Sequence, residues 1–383
     1  MRTTRLPLIA AAAALAACAD ATSPGLSTAN ASLDASPSAN ARAVGGVFTQ
    51  TNDSAGNAVI AYTRRADGSL SYLGTYPTGG RGTAPGSGLG SQGAVVLTPN
   101  ERFLFAVNAG SNEISSFAVD KTGLTLIATV PSGGRRPVSV AATNHVLYAL
   151  NNASDSVAGF RIGHDGRLTP IPTWTRSLSS RAGNGAQVQF SKDGRFLVAV
   201  ERASATFDVF AANKDGSLGA PVSSPSAGRA PFGFDITKEG HIVVSEPGAD
   251  SSASSYAIEP NGALRIVSSR VLANQGAPCW VVITKDGRFA YTANAGSGSI
   301  SGYAVAANGA LTLITPDGRT GVTGQGTTPL DMGVSRDSRF LYVIEGATGN
   351  VMGFEIGNDG SLSPMTDVPP PAGARGRGGI AAY

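Results

Sequence analysis

The chain has 383 residues, 50 of them Gly and 22 Pro, with only 14% charged, a composition that disfavours long helices. A hydrophobic share of 42% excludes a disordered chain, and two cysteines exclude a disulfide scaffold or a cysteine-rich metal site. The formal charge of +3 gives no electrostatic case for nucleic acid as a partner.

Residues 1–18 read as a lipoprotein signal peptide. Arg2 and Arg5 supply the positive start, and Leu6 to Ala17 supply an apolar run too short to span hydrocarbon about 30 Å thick. Leu15-Ala16-Ala17-Cys18 resembles the bacterial lipobox, which makes Cys18 the expected lipid anchor. Ala19 follows it, and in a two-membrane bacterium that resembles an outer-membrane or periplasmic destination. Residues 19–42 are small and polar, unable to bury enough surface to offset their ordering entropy, so a flexible tether is expected there.

From 43 to 383 the sequence repeats. Seven aromatics are each followed by a Leu seven or eight residues later: Tyr62/Leu70, Phe117/Leu124, Phe160/Leu168, Phe210/Leu218, Tyr256/Leu264, Tyr303/Leu311 and Phe354/Leu362. A glycine turn lies inside every pair, in the Asx-Gly form at six of seven, as tight hairpins require. A second turn and strand recurs upstream, as in Asp193-Gly194-Arg195-Phe196-Leu197 and Asp286-Gly287-Arg288-Phe289-Ala290-Tyr291. Apolar strands precede it at 93–98, 138–142, 186–190, 232–236, 279–283 and 330–334. Four short strands per unit predict an all-β fold, a seven-bladed β-propeller with four-stranded blades. The first unit lacks its innermost strand, and residues 379–383 are the expected donor, closing the ring without a free edge.

The Asp-Gly-Arg-Phe-x-Tyr pattern, the Pro-marked blade entries (Pro137, Pro231, Pro278, Pro329) and the closing strand resemble the lactonase-type seven-bladed propellers. That family includes 6-phosphogluconolactonase and fungal carboxymuconate cyclases. Val107-Asn108-Ala109-Gly110-Ser111-Asn112 is also similar to YVTN propeller repeats. The resemblance implies lactone or carboxylated-ring chemistry over the central channel, where the blade-entry loops converge. A lactonase needs a base and cations for a substrate carboxylate and the developing oxyanion. Glu201 and Glu246 are the candidate bases, and Arg136 and Arg229 the candidate anion holders, with Arg202, Gln187 and Trp280 beside them. The bland reading of all these residues is inter-blade bonding.

Family members carry a His at the innermost-strand entry where this chain has Ala186 or Gln187. His145, His164 and His241 fall in turns, so no histidine-based metal cluster or triad is expected and no cofactor, while an all-oxygen metal site of Glu, Asp and Asn around the channel stays open. Cys279 reads as a packed core thiol. Two functions follow: an exported lactonase-like enzyme for a small-molecule substrate, or a lipid-tethered, non-catalytic binding or scaffold propeller. In both, the chain is a monomer that meets the membrane only through its anchor. Because the signal implies export, the cytosolic pentose-phosphate role is disfavoured.

Overall fold

The computed structural model describes residues 43–83, 88–374 and 378–383. They form seven antiparallel sheets, one per blade, in chain order around a ring. Blade 1 is the split one. Its second, third and outer strands are Gly45–Gln50, Ala58–Arg64 and Leu70–Pro77, and its innermost strand is Gly378–Ala382. Val47 pairs with Ala382 and Thr49 with Ile380, so the predicted closure is present. The other innermost strands are Val95–Leu97, Pro137–Ala142, Gly185–Phe190, Phe234–Ile236, Pro278–Ile283 and Pro329–Val334, opening blades 2 to 7.

The repeated residues have repeated physical jobs. All seven aromatics of the aromatic–Leu pairs are buried. The seven hairpin glycines that follow them all have positive φ, from 81° at Gly166 to 135° at Gly123, which side-chain-bearing residues adopt at a cost. These glycines also seat the neighbouring blade. A Cβ on Gly68 would lie 2.4 Å from the Phe340 ring, and one on Gly360 would lie 2.6 Å from Phe289. Tyr342 and Tyr291 then donate hydroxyl hydrogen bonds to the carbonyls of the same two glycines, at 2.7 and 3.0 Å. The Arg-Phe dipeptides fold the guanidinium over its own ring, 5.0–5.5 Å from the centroid at Phe103, Phe196, Phe289 and Phe340.

Two features depart from the regular unit. In blades 3 and 6 the outer strand is broken into Leu168–Pro170 with Arg176–Ser177, and Leu311–Leu313 with Gly321–Val322. In blade 3 a 3-10 turn at Pro172–Trp174 fills the gap, and Trp174 stacks 6.3 Å from Tyr148. The second departure concerns Cys279, which is disulfide-bonded rather than a free core thiol. The thiol reading rested on the body having no second cysteine. Cys18 lies outside the described residues.

Candidate functional site

In blades 2 to 5 the residue ending the second strand is latched to the loop arriving from the preceding blade. Thr78 Oγ1 donates to Asn108 Oδ1 at 2.7 Å, and Ser132 Oγ to Asn151 Oδ1 at 2.7 Å. Ser179 and Ser226 do the same to the Oε1 atoms of Glu201 and Glu246, both at 3.0 Å. Glu246 has further donors. The Gly228 N–H reaches Oε1 at 2.7 Å, and Ser252 and Ser254 reach Oε2 at 2.9 and 2.8 Å. That carboxylate is fully engaged in holding blades together.

Glu201 differs. It is completely buried, and beyond Ser179 only the Ser180 N–H, at 3.3 Å, reaches its Oε1. Its Oε2 has no hydrogen-bond partner and lies against Gly183, where a Cβ would clash. Burial pushes the Glu201 carboxyl up to about 7, opposed by the Ser179 hydrogen bond and reinforced by the buried Asp208 carboxylate. Asp208 is itself held by the Ser179 N–H at 2.7 Å and Ser223 Oγ at 2.7 Å.

Arg202 follows directly. Its guanidinium stands 5.1 Å over the Phe232 ring, and its Nε and Nη1 have no partner although the residue is only 8% exposed. Burial, then repulsion from Arg136, pull it down to about 10. Arg136 is exposed, with a positive φ of 54° fixed by its N–H donating to Asn112 Oδ1 at 2.7 Å. Arg229 is exposed beside Gly248 at the blade 5 entry. Arg202 and Arg136 thus feel one another across blades 3 and 4, the Glu201 carboxyl answers to Ser179, Ser180 and Asp208, and Glu246 and Arg229 belong to blade 5.

The channel itself is bridged at the level of the blade-entry loops. Gln92, entering blade 2, exchanges hydrogen bonds with the Val281 backbone of blade 6, at 2.5 and 2.9 Å. The Trp280 indole N–H donates to the Ser91 carbonyl at 2.9 Å, and Phe232 packs edge-on 5.1 Å away. Trp280 is therefore a buried crosspiece, 3% exposed, rather than an open stacking platform. Gln187 uses its amide on the Phe234 backbone, accepting and donating at 2.7 Å each.

Below the crosspiece lies a cavity of about 700 Å³. It runs from Gln92, Gln187 and Asp331 to the turns at 143–145 and 191–194, so it opens on the face opposite the entry loops. At its closed end Asp331 accepts from the Met332 N–H at 2.9 Å and weakly from Gly93, and burial pushes its carboxyl up to about 7. Near its open end Lys192 pairs with Asp235 at 3.2 Å, and Gln189 donates to the same Asp235 oxygen at 2.7 Å. The sequence reading missed Lys192, Lys285, Asp235 and Gln189 as cavity residues. A signal existed in the repeated Ser/Thr-Lys step of Ser191-Lys192, Thr237-Lys238 and Thr284-Lys285. Among the described residues no group of His, Cys, Asp and Glu is arranged to hold a metal ion.

Known proteins resemble this chain in sequence and in fold. A 6-phosphogluconolactonase of Cronobacter sakazakii (strain ATCC BAA-894) is 24% identical over 195 residues, 49% of this chain. The chain spans only 58% of the length of that relative. One from Serratia proteamaculans (strain 568) is 23% identical over 268 residues, 58% of this chain and 81% of that protein. In fold, the structure of the Pseudomonas aeruginosa periplasmic gluconolactonase matches with a TM-score of 0.68 at 20% identity, covering 88% of this chain and 99% of that one. A Lactobacillus plantarum protein matches with a TM-score of 0.71 at 17% identity, over 88% and 99% of the two chains. A family model, described as lactonase, 7-bladed beta-propeller, matches residues 55–177, 165–282 and 273–375, and the chain belongs to that family.

Proposed function

We propose that the protein is an exported lactonase-type hydrolase whose substrate is a small lactone or carboxylated ring bearing an anionic group. Arg202 carries this reading: a buried guanidinium with two unpartnered N–H groups is costly unless an anion completes it. Arg136 adds a second cation close by. Glu201, with a free oxygen and a raised pKa, suits the proton acceptor that activates water. Water attack on the lactone carbonyl then breaks the ring C–O bond, the proton moves from water to Glu201 and on to the leaving alkoxide, and a hydroxy acid forms.

The test is a panel of aldonolactones and muconolactones, some phosphorylated, assayed with the purified protein and Arg202→Met. Losing one charge-assisted contact predicts a fall in kcat/KM of roughly 10- to 100-fold for anionic lactones. The variant's unfolding temperature is expected to hold or rise, because an uncompensated buried charge is removed. No hydrolysis above background for any lactone would sink the proposal.

A second reading has its own support. Ala186 or Gln187 stands where the family resemblance expects histidine, and the Gln187 amide is tied to the Phe234 backbone. A propeller that binds the same anionic ring compounds without turning them over fits that substitution. Saturable lactone binding without hydrolysis selects this reading.

A further inference from the structure

We propose that the central cavity is a second ligand site, separate from the lactone chemistry, that takes a small organic monocarboxylate. Its anionic group sits between Lys285 and Lys192 at the open end, and its apolar body lies among the innermost strands.

Three observations support this. First, Lys285 lines the cavity, and the acids that act on its ammonium are Asp235, which it shares with Lys192, and Glu101. Lys192 shares Asp235 as its one partner, so two ammoniums and one carboxylate leave a single positive charge, which matches a monoanion. The other acids at this mouth are already neutralised. Asp193 is held by Arg195, and Glu101 is gripped by the Arg336 guanidinium, Nε to Oε1 at 2.9 Å. Second, the cavity wall includes Val188, Val282, Val334 and Ile380, which suits an apolar body better than a chain of hydroxyls. Third, the Gln92–Val281 and Trp280–Ser91 bridges close the far end. Asp331 sits there as a buried carboxyl, and no lysine or arginine lines that end to hold a second anionic group. Neither Arg202 nor Glu201 lines the cavity, so the two sites are distinct. A lysine pair with one unit of net charge suits a carboxylate better than a phosphate, which favours the forked geometry of arginine.

Isothermal titration of the full chain with benzoate, gluconate and inorganic phosphate tests the assignment. One equivalent of benzoate is expected to bind. Lys285→Met should weaken it at least about tenfold, as expected for losing a charge-assisted contact in a partly dry site, and Arg202→Met should leave it unchanged. Lys285→Gln, a smaller perturbation of the same turn, serves if the methionine variant fails to fold. The proposal is overturned by no benzoate binding at about 10 mM. It is equally overturned by binding that survives in both lysine variants, by binding lost in Arg202→Met, or by gluconate or phosphate binding more tightly than benzoate. Lactone hydrolysis by Lys285→Met is expected to match that of the unsubstituted protein, so the two sites can fail independently.

Discussion

Glu201 and Glu246 hold the same place in adjacent blades, and the sequence reads them as equivalents. Their surroundings separate them. Glu246 accepts four hydrogen bonds, whereas Glu201 keeps one oxygen without a donor and has Asp208 beside it. The strand register was legible, but which oxygen meets a donor depends on serines contributed by a neighbouring loop and strand. The difference sets a pH dependence. The Glu201 carboxyl titrates near 7 when folded and in the ordinary carboxylate range when unfolded, so the folded chain binds more protons in between. Stability therefore falls as pH rises through that window, and Asp331 acts with the same sign. Glu201→Gln is expected to flatten part of the decline in Tm between about pH 5 and pH 8, leaving the share due to Asp331. The same change should lower lactone kcat/KM by roughly 10²- to 10⁴-fold, and remove the rise in rate with pH near neutrality. Circular dichroism melts at both pH values check the first effect, and a pH–rate profile checks the second. An unaltered profile removes Glu201 from the chemistry.

At the scale of the element, the blades were legible because their signals are local. An aromatic, a positive-φ glycine and a Leu within eight or nine residues define a hairpin whatever lies elsewhere. The broken outer strands of blades 3 and 6 were not legible, since each gap is fixed by packing against an adjacent strand or blade. Trp174, for instance, packs on Tyr148 of its own blade and against Gly216 of the next. The crosspiece was hidden for a similar reason: Gln92 and Val281 are 189 residues apart and meet only across the ring. The closing strand, by contrast, followed from counting. Ile380 is 6% exposed, and the strand pairs with Gly45–Gln50 at four positions. Deleting 379–383 is expected to cost on the order of 4 kcal/mol, lowering Tm by roughly 6 °C in a chain of this size. Differential scanning calorimetry measures it, and an unchanged Tm would contradict the closure.

For the whole molecule, export remains our proposal, and the disulfide at Cys279 accords with an oxidising compartment. The chain holds two cysteines, so a bridge between them and a lipid on Cys18 exclude one another. Peptide mass mapping of protein from fractionated envelopes, with and without reductant, is expected to find the chain outside the cytosol and to show which of the two forms exists. Finding the chain in the cytosolic fraction with its first residues intact would defeat the export reading. The ring's seam also governs how such a molecule is assembled. Gly45–Gln50 waits for a partner more than three hundred residues further along the chain. Closing so long a loop is among the slowest events in folding. Until it happens, a buried-type strand of Gly46-Val47-Phe48-Thr49 presents an open edge to any other chain nearby. Aggregation during refolding should therefore start at blade 1, and a soluble peptide copying 378–382 would act as a cap for it.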